Sequence, residues 1–293
     1  MEQKKDYWQG LQGANRYSTN DERIAVNYLR SIAKLVDTVG GDLAGFGPYT
    51  FDRAASPRLE VLARLGAVQK ALEQLSDDLR GSRAKYLAKQ LQAINTTEGA
   101  PLRLHIGSGA YNLDSWINID THPAQLAMDF RWGLPFRDAS VAFVFLCHTL
   151  EHFAYPREAL QITKDIKRVL HPSGVLRIVV PDIEKCLRAY AENDLEFFAS
   201  RRNTWTWWPE RSTKLEDFLA YAGAGAQFGL RSHKFGYDYE TLRHLLESAG
   251  FRSVERSDYM KSPHEVLRVD NASRVASATY RSEYYSLFVE ATA

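Results

Sequence analysis

Two patterns of apolar positions divide the chain. Over residues 20–98 apolar side chains recur every three or four positions, the period of a helix face. Asn20-Asp21-Glu22 predicts a helix start, a capping residue followed by acids in the first turn. Ile24, Tyr28, Ile32, Leu35 and Val39 keep the spacing until Gly40-Gly41 ends it. Residues 1–20 are polar and aromatic and predict an arm; residues 40–58, with four glycines and two prolines, predict a loop. Leu59, Leu62, Leu65, Val68, Leu72, Leu75 and Leu79 then form a second stripe, either an amphipathic helix packed on its own domain or the seam of a homo-oligomer.

After Thr96-Thr97-Glu98-Gly99 the pattern changes to short apolar runs alternating with helical ones. Leu102–Ile106, Trp116–Ile119, Val141–Leu146, Val175–Val180 and Tyr285–Ala291 are strand candidates. Arg157–Leu170, Ile183–Tyr190 and Tyr239–Ala249, the last closed by Gly250, read as helices. That alternation predicts an α/β fold, a mostly parallel sheet with helices on both faces. The expected boundaries are 1–98 for a helical N-terminal extension and 99–293 for the α/β domain. An irregular insertion at about 195–238 is expected to cover the cleft.

Composition narrows the function classes. With 37 basic against 36 acidic residues, net charge is +1 and no global field favours nucleic acid or an anionic membrane. The two cysteines, Cys147 and Cys186, have no CxxC spacing, which excludes a cysteine zinc site and a disulfide framework. No run approaches eighteen apolar residues and the N-terminus lacks a signal-peptide core, so the expected location is the cytoplasm.

The candidate chemistry begins at Leu104-His105-Ile106-Gly107-Ser108-Gly109, a strand running into a glycine turn where backbone can approach a ligand. Asp120 ends the next strand, placed to accept the hydroxyls of a ribose. A nicotinamide dinucleotide is disfavoured: Asn112 stands where a third glycine belongs, and Asp120 follows Gly107 by 13 residues against roughly 20 in dinucleotide folds. Any helix between these strands must be short or missing.

These residues, followed in order by Asp129, Leu134-Pro135-Phe136, His148-Thr149-Leu150-Glu151-His152, Arg168–Gly174 and Val179-Val180-Pro181-Asp182, resemble a class I S-adenosylmethionine-dependent methyltransferase. Within that class the chain is most similar to bacterial methyltransferases associated with cell-surface polysaccharide synthesis. The resemblance implies a Rossmann-like seven-stranded, mostly parallel sheet and S-adenosylmethionine as cofactor. It implies that Gly107 and Gly109 lie against the methionine part, Asp120 holds the ribose, Asp129 the adenine amino group, and Cys147 and His148 line the cofactor and transfer site.

His148-Thr-Leu-Glu151-His152 also matches the HxxEH zinc-protease motif, but a strand end before it and Pro156 after it leave room for little more than one helical turn. Some class I methyltransferases resemble this segment and bind a divalent ion there. The ligands here would be His148, Glu151 and His152, with His233 a fourth; a histidine in place of an acid speaks against magnesium, and a metal is not the favoured reading. The expected catalytic residues are His148 and His233 as bases for a hydroxyl acceptor, with Asp182 orienting one of them or capping the following helix. Trp205, Trp207 and Trp208 suit stacking on sugar rings or packing of the insertion. The expected activity is O-methylation of a sugar hydroxyl in a cell-surface glycan or its precursor. The alternatives are methylation of a small aromatic or quinone-like molecule, or a non-catalytic cofactor-binding interaction module.

Overall fold

The computed structural model describes residues 57–94, 101–121, 124–129, 131, 133–204, 213–223 and 233–293. The expected helix at 20–39 and the tryptophans 205, 207 and 208 lie outside these residues. The chain divides into two compact units between Ile94 and Asn95.

In the first unit the described residues form one helix, α1 (Pro57–Ala93). Proline suits a first helical position because the amide it lacks has no partner there. The helix runs well past the apolar stripe, about 55 Å at 1.5 Å per residue. Val68 and Leu75, seven residues apart on one face, are nearly half exposed.

The second unit is built on strands β1 (Leu102–Ile106), β2 (Ile117–Asp120), β3 (Leu126–Ala127), β4 (Val141–Cys147), β5 (Leu170–Pro181), β6 (Ser253–Arg256), β7 (Thr279–Tyr280), β8 (Glu283–Tyr284) and β9 (Ser286–Thr292). Seven of them form one sheet in the order β3-β2-β1-β4-β5-β9-β6, and β7 and β8 form a separate hairpin. β1 to β5 are parallel to one another; β9, last in sequence, is antiparallel between β5 and β6. The Rossmann-like, seven-stranded, mostly parallel sheet is therefore present. Leu104, Ile106, Val144, Phe145, Ile178, Val179 and Val180 are fully buried, as befits strands covered on both faces.

Around the sheet stand α2 (Arg157–Val169), α3 (Ile183–Ala191), α4 (Leu195–Thr204), α5 (Lys214–Ala222) and α6 (Tyr239–Ala249). In α2 the buried residues Ala159, Ile162, Thr163, Ile166 and Val169 follow helical spacing and define its inward face. Asp182 caps α3 and Asp238 caps α6, each through a carboxylate oxygen on a first-turn amide. Thr213 and Glu216 close a capping box on α5. Among the described residues no helix is long and apolar enough to cross a membrane.

Strand order reverses between β1 and β4: the chain leaves β1 toward β2 and leaves β4 toward β5. The loops there diverge and open a crevice beyond the carboxyl ends of the strands, the place where open α/β sheets bind ligands.

Candidate functional site

The crevice is walled on one side by the turn after β1. No helix intervenes before β2. Asn118 braces the connection instead, accepting from Leu113 N (2.8 Å) and donating to the carbonyls of Leu113 (3.0 Å) and Trp116 (3.2 Å). Gly107 N and Ser108 N both donate to Ile119 O, at 2.7 and 3.1 Å, pinning the turn to β2.

The two glycines serve different ends. Both have positive φ, 73° at Gly107 and 55° at Gly109. A Cβ on Gly107 would lie 2.0 Å from Thr149 Oγ1, so that glycine admits a neighbouring side chain. A Cβ on Gly109 would meet nothing within 4 Å, so that glycine faces open space. Gly109 N donates to Asp120 Oδ2 (2.9 Å), while Asp120 Oδ1 accepts from Thr121 N (2.5 Å) and Thr121 Oγ1 (2.9 Å). The glycine turn and the half-buried acid thus form one hydrogen-bonded unit bordering open space.

The opposite wall begins where β4 ends. Cys147 is buried, and burial pushes its thiol well above the usual range, so it is an inert lining group. His148 follows with φ 46°, its backbone N–H held by Val179 O at 2.8 Å. The zinc-protease helix is absent: Leu150–His152 is a single 3-10 turn. His148 Nε2 lies 2.8 Å from Ser286 Oγ and its Nδ1 lies 3.3 Å from Glu151 Oε1. Ser286, at the start of β9, reaches the site only through the antiparallel insertion of that strand, and no local motif marks it.

Glu151 is the centre of the cluster. It is 0% exposed, and neither carboxylate oxygen has a hydrogen bond. Its backbone carbonyl accepts from Lys234 N (2.7 Å) and Phe235 N (3.3 Å), which ties residues 233–237 to the turn. That brings in His233, 4% exposed, with Nδ1 3.1 Å from Tyr221 O and Nε2 3.9 Å from Glu151 Oε1. The rings of His152 and His233 meet edge to face at 5.1 Å. Burial alone would raise the Glu151 carboxyl, but the imidazoles of His148, His152 and His233 outweigh it and hold the group down to about 2. Burial pushes the His233 imidazole down to about 4 in spite of Glu151.

Two expected site residues carry structural duties. Asp182 accepts from Glu184 N (3.1 Å) at the head of α3, and Lys185 Nζ stands 3.9 Å from its other oxygen; its partners are helical rather than the histidines. Burial raises its carboxyl. Asp129 is gripped by Arg131, whose Nε lies 3.0 and 3.1 Å from the two carboxylate oxygens and whose Nη2 lies 2.6 Å from Oδ2. The acid expected at an adenine is thus paired with a guanidinium.

Residues 81–178, about a third of the chain, match a family model described as a methyltransferase domain. That span contains the glycine turn, Asp120, His148 and Glu151. No curated protein matches the chain. Among solved structures the chain is similar to a SAM-dependent methyltransferase from Archaeoglobus fulgidus, at 16% identity and TM-score 0.38 over 75% of this chain and 98% of that one. It is also similar to a possible histamine N-methyltransferase from Thermotoga maritima, at 15% identity and TM-score 0.37 over 70% and 86%. A third likeness is a phosphoethanolamine N-methyltransferase from Haemonchus contortus in complex with S-adenosylhomocysteine, at 12% identity and TM-score 0.35 over 71% and 52%. Likenesses of this size decide nothing about the acceptor. Over residues 81–178 the chain is thus similar to a methyltransferase domain. The residues there suit S-adenosylmethionine as methyl donor: the open space at Gly109 adjoins a carboxylate already tied to the glycine turn.

Proposed function

We propose that this chain is an S-adenosylmethionine-dependent methyltransferase acting on a hydroxyl group, and that the hydroxyl belongs to a sugar of a cell-surface glycan or its precursor. The observation that carries the hydroxyl is His148, an imidazole at the mouth of the crevice with Glu151 on one nitrogen and Ser286 on the other. Nitrogen and thiolate acceptors attack a sulfonium methyl without help, whereas a hydroxyl must lose its proton as it attacks. The sugar is supported by the resemblance and by the residue type of Trp205, Trp207 and Trp208, whose faces suit stacking on sugar rings.

S-adenosylmethionine, when bound, supplies an electrophilic methyl group on a positively charged sulfur. The chain's task is then alignment, which alone can account for several kcal/mol of the barrier. Gly107 and Gly109 would lie against the methionine part, and Asp120 would hold the ribose. The Glu151 carboxylate 3.3 Å from His148 Nδ1 favours the tautomer with its hydrogen on that side, which turns the lone pair of Nε2 toward Ser286. An acceptor hydroxyl would take the place of Ser286 Oγ on Nε2 and give up its proton there, leaving its oxygen to take the methyl group that S-adenosylmethionine would supply. His233, the second expected base, stands behind Glu151, with Nδ1 on the Tyr221 carbonyl and Nε2 3.9 Å from Glu151 Oε1. We place the enzyme in the reducing cytoplasm, consistent with two buried free thiols.

The test is release of S-adenosylhomocysteine over a panel of nucleotide sugars, lipid-linked glycans, catechols and quinols, after calorimetry has established binding of the cofactor product. Turnover with a sugar, lost in His148→Ala, supports the reading. Turnover confined to aromatic hydroxyls overturns the glycan, and turnover confined to amines overturns the hydroxyl.

A further inference from the structure

We propose that the pocket between α3 and the β7–β8 hairpin is a subsite for a neutral sugar unit of the acceptor, beside the unit that is methylated. The proposal rests on the reading of the acceptor as a glycan. Lys185, Arg188 and Ala189, on one face of α3, form one wall, with Glu192 just past the helix end. Tyr280, Arg281, Glu283 and Tyr285 form the other. His148, Glu151 and Asp120 lie outside this pocket.

Its aromatic floor is fixed from behind. Tyr285 is 2% exposed, and its hydroxyl shares a hydrogen bond with Ser200. Phe197 packs edge to face on both Tyr280 and Tyr285, at 5.7 and 5.1 Å. Tyr280 OH donates to Asp194 at 2.8 Å, and Arg281 closes on the same carboxylate at 3.2 Å. Rings held in this way offer apolar surface with little left to order on binding.

The rim is uncommitted. The side chains of Arg188, Glu192 and Glu283 make no hydrogen bond or ion pair among the described residues, although Arg188 and Glu192 stand one helical turn apart. The signs around the pocket balance, with Lys185, Arg188 and Arg281 against Glu192, Asp194 and Glu283. A phosphate would meet the carboxylates and an amine the cations, each at a Coulombic cost. A neutral ligand rich in hydroxyls meets neither penalty, because a hydroxyl donates to a carboxylate and accepts from a guanidinium or ammonium group. An aromatic floor and a charged rim of both signs suit the apolar face and the hydroxyl edge of a sugar ring.

The pocket adjoins the crevice through the start of β9. Tyr285 directly precedes Ser286, whose Oγ lies 2.8 Å from His148 Nε2, and consecutive Cα atoms are about 3.8 Å apart. Lys185 spans the same wall: its Nζ donates to Tyr284 O at 2.6 Å and stands 3.9 Å from Asp182 Oδ2. A sugar chain with one hydroxyl on His148 can therefore set a neighbouring unit in the pocket.

The experiment is saturation-transfer NMR titration of the full chain with the methyl glycosides of glucose, galactose, mannose and N-acetylglucosamine and with lactose and cellobiose. Inorganic phosphate and uridine diphosphate are the charged controls. At least one neutral saccharide is expected to bind, with affinity falling about tenfold or more in Arg188→Ala and in Glu283→Gln, the equivalent of one hydrogen bond to a charged group. Both side chains are exposed and unpartnered, so both variants should keep the fold, which circular dichroism checks. His148→Ala should keep the saccharide. Failure of every neutral saccharide to bind overturns the proposal, as does wild-type affinity in either rim variant. Affinity lost in His148→Ala alone puts the sugar in the crevice and overturns it too, and so does tighter binding of uridine diphosphate than of any saccharide. Failure of the glycan reading is distinguishable: the acceptor panel reports the reaction, whereas this titration reports the pocket without turnover.

Discussion

Replacing Arg177 with Met should cost about 3–5 kcal/mol of stability, the range for breaking a buried ion pair from one side. Arg177 lies in the middle of β5 and is 0% exposed. Its Nε and Nη2 hold both oxygens of Asp270 at 2.8 and 2.7 Å; Nη1 reaches Glu290 (2.7 Å) and Ser257 (2.9 Å), and Nη2 also reaches Asp258 O (2.8 Å). Methionine fills much of the same volume but supplies none of these donors. Glu290 is 11% exposed and can regain some water. Asp270 is 0% exposed and keeps only the Met260 amide at 2.6 Å, so the stranded carboxylate sets most of the cost. Urea denaturation followed by tryptophan fluorescence measures the loss as a shift in midpoint at unchanged slope. Arg177→Met with Asp270→Asn removes both charges and should recover more than half of it. A single-variant loss below about 1 kcal/mol, or a double variant no better than the single, would refute the assignment of the cost to a stranded charge.

Asp120→Ala should weaken S-adenosylhomocysteine binding by about 1–3 kcal/mol by calorimetry, the scale of hydrogen bonds to a charged group; unchanged affinity removes it from the ribose. His148→Ala should lower turnover far more than cofactor affinity, and equal turnover eliminates it as base. Gly107→Ala should destabilise the fold through Thr149, with relief in a Gly107→Ala/Thr149→Gly double variant; thermal melts that show no such relief place the clash elsewhere. His105 is held down to about 4 by burial, outweighing its contacts with Asn118 and Asp120. The unfolded chain therefore takes up this proton first, and His105 lowers stability as pH falls from about 6.5 to 4, by up to about 3 kcal/mol. His105→Gln should flatten that part of the stability profile, and an unchanged profile assigns the acid sensitivity to other groups.

Much of the core was legible because local pattern and burial coincide. Leu102–Ile106 and Val141–Leu146 are apolar runs, and runs of that kind belong to central parallel strands whatever surrounds them. The missing helix before β2 followed from the short step between Gly107 and Asp120. Strands β3, β6, β7 and β8 escaped because runs of two to four residues are too short to carry a period. The full length of β5 escaped because His171-Pro172-Ser173-Gly174 reads as a turn; the ladder with β4 breaks there, between Leu170 on Val141 and Val175 on Phe143.

The chain's own order of residues determined the alternation of strands and helices, the glycine turn and the carboxylate opposite it, since each depends on neighbours within about twenty positions. Tertiary structure decided what those residues touch. Only the insertion of β9 beside β5 brings Ser286 to His148, and only the backbone bonds from Lys234 and Phe235 to the Glu151 carbonyl bring His233 to that carboxylate. Asp129 and Asp182, acids with equal promise in the sequence, were claimed by Arg131 and by a helix end. A side chain's chemistry is written in its residue type, but its partner is set by contacts across many positions of the chain, and no local pattern encodes those.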